Sequence, residues 1–164
     1  MEEVPDVPIL VALYREESEY SPVPGNYLKK TVVPSGKNSI DDWENIDEEY
    51  ILFPSNEANN KYLKDSEMVN KFAGDIAEFF PNYVGTIGTG FYVDGELRKL
   101  TLEVPMEFNG KAEVIGFTQY VYELVQKNFA NHFDLEINVI SSSKMESLIF
   151  RNAREEQPTI HIFH

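Results

Sequence analysis

The stretch that most constrains the fold is residues 83–105, YVGTIGTGFYVDGELRKLTLEVP. Two runs rich in β-branched and aromatic residues flank Asp94-Gly95. A type I′ turn needs positive φ at both central residues, and this dipeptide supplies them at little steric cost. In the second run Leu100, Leu102 and Val104 alternate with Lys99, Thr101 and Glu103, the period of a strand with one buried face. The spacing predicts a β-hairpin. The same stretch holds the one glycine-dense run, GTIGTG at 85–90. A phosphate loop of Walker type would need lysine and a hydroxyl after its last glycine, and a dinucleotide fingerprint would need a helix there. Here a hairpin follows, so Gly85, Gly88 and Gly90 are expected to mark a bulge, a bend or a close backbone approach.

The rest of the pattern is organised around that hairpin. EYILFP reads as a strand stopped by Pro54. In DSEMVNKFAGDIAEFF the residues Met68, Val69, Phe72, Ile76, Phe79 and Phe80 fall three or four apart, the stripe of an amphipathic helix. Asp65 or Ser66 is expected to cap it, Pro81 to stop it, and Gly74 to mark close packing. FTQYVYELVQKNF is a second helix with Phe117, Val121, Leu124 and Val125 on one side. Asn109-Gly110 before it either closes a further hairpin, with KAEVIGF as a strand, or leads straight into that helix. DLEINVI at 134–140 alternates as a strand should. Ser143 with Glu146 has capping-box spacing, which predicts a short helix over KMESLIFRNA, and TIHIF reads as a last strand.

Residues 49–140 therefore follow the order β-α-β-β-α-β. The expectation is an α+β single-domain sandwich with a mainly antiparallel sheet, two principal helices and a ferredoxin-like arrangement over 49–140, with extra edge strands. Residues 1–48 form an acidic strand-and-loop segment, in which VPILVALY reads as a buried strand and KKTVVP as a short one. SGKNSIDDWENIDEE reads as a loop with a helical turn at Ser39–Trp43. Residues 141–164 supply the terminal helix and strand.

Charge sets the functional expectation. The chain of 164 residues carries 28 acids against 14 bases, net −14, and has no cysteine. Disulfides, thiolate metal sites and cysteine nucleophiles are excluded. Such a field repels nucleic acid and anionic lipid and attracts basic partners. The N-terminal MEEVPDVPIL is acidic and lacks a long apolar run, which argues against a secretory signal, and no run approaches a membrane span. A cytoplasmic location is the expectation. Twelve acids and four bases fall within the first 50 residues.

No catalytic motif accompanies that charge. There is no G-x-S-x-G elbow, and the acidic run lacks the register of an EF-hand loop. His161 and His164 lie three apart, which on a strand sends them to opposite faces. No cofactor, metal or catalytic residue is therefore assigned. The candidate partner-binding surface is Asp41, Asp42, Trp43, Glu44, Asp47, Glu48 and Glu49, an aromatic anchor set among carboxylates. The expected function is an acidic protein-binding or inhibitory module that occludes a basic partner, in the manner of immunity or anti-defence proteins. The alternatives are a small enzyme with a carboxylate-based site, or a phage-type assembly subunit. Self-association through strand edges is possible.

Overall fold

In the computed structural model, residues 7–37, 39–142 and 144–163 are described. They form nine strands and three helices. β1 (Ile9–Arg15), β2 (Asn26–Val33) and β3 (Glu44–Asn45) make a three-stranded sheet in that order. A six-stranded sheet has the order β4 (Glu48–Phe53), β5 (Ile87–Val93), β6 (Glu96–Pro105), β7 (Asp134–Ile140), β8 (Met145–Arg151), β9 (Thr159–Ile162). The helices are α1 (Asn56–Lys61), α2 (Leu63–Phe79) and α3 (Lys111–Asn128). The α+β class is thus as the sequence predicts. By internal contacts the chain divides into a smaller unit, Met1–Tyr50 with Tyr92–Glu96, and a larger one, Ile51–Phe91 with Leu97–His164.

The hairpin forms as expected. Asp94 and Gly95 take φ of 53° and 74°, the signs a type I′ turn demands. Leu100, Leu102 and Val104 are fully buried while Lys99 and Glu103 face out. GTIGTG shapes the first arm: Gly85 has φ 143°, and a Cβ on Gly88 would sit 2.6 Å from Leu102 Cδ2. Close approach to Leu102 accounts for Gly88.

The ferredoxin-like arrangement does not form, although the element order is present. A split βαβ unit leaves a strand between its parallel pair. Here β6 and β7 are direct parallel neighbours, in register from Lys99↔Asp134 to Pro105↔Ile140. Asn109-Gly110 leads straight into α3, and KAEVIGF is its first two turns. The segment expected to be a C-terminal helix is strand β8, antiparallel to β7. Its run Leu148, Ile149, Phe150 is a strand signal that outweighs the capping-box spacing; Ser143 lies outside the described residues. Ser39–Trp43 is not helical; Asn38 before it lies outside the described residues. Residues 1–6 and His164 lie outside them too.

Two smaller expectations also change. α2 starts two residues before Asp65, with Tyr62 as N-cap and no side-chain cap. Ser66 is instead buried and donates from Oγ to Asn59 Oδ1 of α1 at 2.6 Å. Gly74 is exposed with open space around its Cβ position, so it serves no close packing. β1 is a strand, but its side chains are exposed except for half-buried Val11.

The core of the larger unit lies between its sheet and α2 and α3. Val69, Phe72 and Ile76 of α2, and Val114, Phe117, Val121, Leu124 and Val125 of α3, are buried. Phe72 and Phe129 meet edge to face at 5.1 Å. Three polar side chains of this interior have partners, although Arg151 Nε has none. Thr118 Oγ1 lies 2.7 Å from Ser147 Oγ of β8 and donates to Val114 O. Arg151, also of β8, is 2% exposed and donates to the carbonyls of Phe129 and Ala130, where α3 ends. A cation there satisfies orphan carbonyls and matches the helix dipole; its burial lowers the guanidinium pKa.

Asp75 ties the two helices together. It accepts from Asn128 Nδ2 at 2.9 Å and Lys127 Nζ at 3.3 Å, while its carbonyl accepts from Tyr120 Oη at 2.8 Å. The Asn128 hydrogen bond, aided by Lys127, lowers the Asp75 pKa below its ordinary 3.8 against the opposing effect of burial. A depressed carboxylate pKa contributes stability that is present above the ordinary value and is lost as pH falls through the folded one. Thermal melts of the wild type should therefore fall as pH drops below about 4, and Asp75→Asn should lower the neutral-pH midpoint and flatten that acid limb. A second prediction concerns the hairpin. Gly88→Ala forces its methyl against a fully buried Leu102 and should destabilise the protein by about 1 kcal/mol in urea titration, after the gain from a stiffer unfolded chain.

Candidate functional site

In the smaller unit the acidic segment is held by its own neighbours. Lys37 Nζ pairs with Asp41 at 2.7 Å, and Lys30 Nζ of β2 with Glu44 at 3.2 Å. Thr31 Oγ1 donates to the Asp42 carbonyl at 2.6 Å. Asn26 Nδ2 donates to the Glu48 carbonyl, and the Glu48 carboxylate accepts from the Tyr27 N–H. The Asp47 carbonyl accepts from the Asp94 N–H. Asp41, Asp42, Trp43 and Glu44 come together along an open hollow of about 460 Å³ with Lys30, Thr31 and Val32. Asp47, Glu48 and Glu49 run on towards and into β4 and do not line it. Trp43 is half-buried. The Glu44 and Glu48 carboxylates fasten the segment to β2, and the Asp41 carboxylate pairs with Lys37 just beyond it.

The larger unit contains a more apolar site that sequence reasoning missed. Three stretches converge on it: the end of α2 (Phe80, Pro81, Asn82), the loop after β6 (Met106 to Asn109) and the first turns of α3 (Glu113, Gly116, Phe117). They enclose about 450 Å³. The walls are aromatic. Phe80 meets Phe117 edge to face at 4.8 Å, Phe108 lies 5.5 Å from Phe117, and Tyr120 backs Phe80 at 5.4 Å.

Local chemistry fixes each wall. Pro81 ends α2 by its missing N–H and its ring, which leaves Phe80 at the exit. The Met106 N–H donates to the Ile140 carbonyl, and Glu107 Oε1 accepts from the Ser142 N–H at 2.7 Å, so the loop is pinned at both sides. Gly110 has no side chain with which to cap α3, so Glu113 at the third helical position reaches back instead. It accepts from the Asn109 N–H at 2.8 Å and from Asn109 Nδ2. A capping box would return to the N-cap N–H; here the carboxylate reaches one residue further back, to Asn109 ahead of the N-cap Gly110. The Asn109 backbone bond, then its side-chain amide, lower the Glu113 pKa, so the carboxylate stays ionised. Gly116 faces open space at its Cβ position, which leaves the cavity mouth clear.

The chemistry available is that of a recess with an apolar floor and carboxylates, Glu107 and Glu113, on its rim. No lysine or arginine lines it. It offers apolar contact at the floor and negative charge at the rim. The sequence signal for it was faint: Met106 and Phe108, two large apolar residues in what would otherwise be a polar turn before a helix. Among the described residues no group of three His, Asp or Glu side chains is placed to hold a metal ion, and no helix is long and apolar enough to cross a membrane.

Known proteins resemble this chain over almost all of its length. The sequence profile described as CamS sex pheromone cAM373 precursor matches residues 1–157. The structure of the C-terminal domain of the sex pheromone staph-cAM373 precursor from Staphylococcus aureus is 28% identical, with a TM-score of 0.81 over 97% of this chain and 48% of that one. A sex pheromone precursor from Lactobacillus salivarius subsp. salivarius UCC118 is 25% identical, with a TM-score of 0.88 over 97% of this chain and 47% of that one. A third structure, of a sex pheromone staph-cAM373 precursor, shares the fold at 23% identity and a TM-score of 0.73. The chain thus spans about half the length of these relatives. No protein with a curated description matches it significantly.

These matches overturn the expectation of an immunity, inhibitory or anti-defence protein. Acidity and missing catalytic motifs are shared by many unrelated proteins, and here Asp41 and Glu44 of the acidic run pair with lysines of the same chain. With its profile matched over residues 1–157, the chain belongs to the CamS family, the sex pheromone cAM373 precursors.

Proposed function

We propose that this chain is a folded part of a sex pheromone precursor and acts there as a binding module, with the recess at the start of α3 as its ligand site. The precursor role rests on the family and on its structural relatives, which are sex pheromone precursors. The binding role rests on one observation: Phe80, Phe108 and Phe117 wall an apolar recess whose rim carries two carboxylates and no cation. Its ligand is a small apolar molecule with a positive end, such as an apolar peptide presenting a free amino terminus. Apolar contact supplies most of the affinity, and the carboxylates fix orientation.

Calorimetric titration with short apolar peptides, with free and with acetylated amino termini, tests this reading. The free amine should bind and acetylation should weaken it about tenfold, the order of a charge-assisted hydrogen bond. Gly116→Leu fills the mouth while improving helix propensity, so it should abolish binding without loss of stability. Equal binding by Gly116→Leu and wild type would remove the recess as the site.

A further inference from the structure

The smaller sheet has two edges of opposite character. β3 is two residues long and carries Glu44. β1 is seven residues long, and from Ile9 to Tyr14 it contains no charge and no proline. Natural sheets guard exposed edges with lysine, proline, bulges or brevity, because an edge strand offers unpaired N–H and C=O groups to any other strand. β3 is guarded in this way and β1 is not. The one bulge at β1 lies at Leu13/Tyr14, near its end. β1 is also apolar on both faces of the pleat: Ile9 and Leu13 project to one side, Leu10 and Tyr14 to the other, and all four are exposed, Leu10 by 67%.

We propose that β1 is a self-association edge, at which a second copy of this chain adds its own β1 antiparallel across a twofold axis. The pattern of the strand is self-complementary about Ala12. With that residue on the axis, Val11 faces Leu13 of the other copy and Leu10 faces Tyr14, so every close pair is apolar. Arg15 falls opposite Ile9, and like charges never meet. Cross-strand apolar pairs of this kind stabilise an antiparallel ladder, and a twofold operation is the commonest way to close such an interface. The product is one sheet of order β3-β2-β1-β1-β2-β3 with no long edge. The exposed Tyr27 and Val32 of β2, beside Tyr14 and Leu10, widen the apolar contact on one face. The net charge of −14 opposes association, but β1 carries none of the acids, so salt screens the repulsion and leaves the contact intact.

Sedimentation equilibrium of the whole chain tests the proposal. A species near twice 18.9 kDa should form at high-micromolar protein and tighten as salt is raised. Ala12→Lys places a charge opposite its own symmetry mate, and should weaken association by more than about tenfold, with an unchanged circular dichroism spectrum. Ile160→Lys on the other sheet's edge strand β9 should leave it intact. Amide exchange, read on the wild type alone, should show residues 9–15 gaining protection as concentration rises. A wild type that stays monomeric, or a dimer that Ala12→Lys leaves intact and whose β1 amides exchange independently of concentration, would overturn it.

Discussion

The structure depends on the parallel pairing of β6 with β7. Two parallel neighbours cannot be joined by a turn, because the chain must travel back the full length of the strand before it can enter the second one. α3 makes that return. Its 18 residues lie against the sheet with Val114, Phe117, Val121, Leu124 and Val125 inward. β8 holds the helix at two points, by the Thr118–Ser147 hydroxyl contact in its first half and by Arg151 at its exit. α2 then docks on α3 through Phe72, Phe129 and the Asp75 clamp.

The recess follows from that crossover. At the carboxyl end of β6 the chain must turn upward into α3, and the turn cannot fill the corner between strand end and helix start. Open α/β sheets place their ligands at the carboxyl ends of strands for the same reason. Here the corner is walled by Phe80 from α2 and by Phe108 and Phe117 from either side of the turn. Glu113 does two jobs with one carboxylate: it completes the cap that Gly110 cannot provide, and it keeps a negative charge at the rim. In the acidic segment of the smaller unit Asp41 and Glu44 answer Lys37 and Lys30, and Glu48 accepts from the Tyr27 N–H of β2.

Features governed by short-range chemistry were legible in the sequence. Asp94-Gly95 fixed the hairpin, the Leu100–Val104 alternation its buried face, and the stripes of α2 and α3 their inward sides. Features set by long-range pairing were not. Nothing local in DLEINVI states that it runs parallel to ELRKLTLEVP, so the ferredoxin-like arrangement failed there. MESLIFR carried two signals, a capping-box spacing and an apolar run, and the demand of β7 for a partner selected the strand. VPILVALY was read as buried because apolar runs usually are, yet β1 has a neighbour on one side only. The recess escaped because its residues are spread from 80 to 117 and meet only after α3 has crossed over. Charge misled the functional reading, since composition records how many acids there are and not which of them are paired.

The central claim is that the corner between β6 and α3, and not the acidic hollow, receives the ligand. Nuclear Overhauser contacts between an apolar amino-terminal peptide and the protein test it directly. The account predicts contacts from the ligand's methyl groups to the ring protons of Phe80, Phe108 and Phe117. Contacts confined to Trp43 and its neighbours, with those three rings untouched, would contradict it.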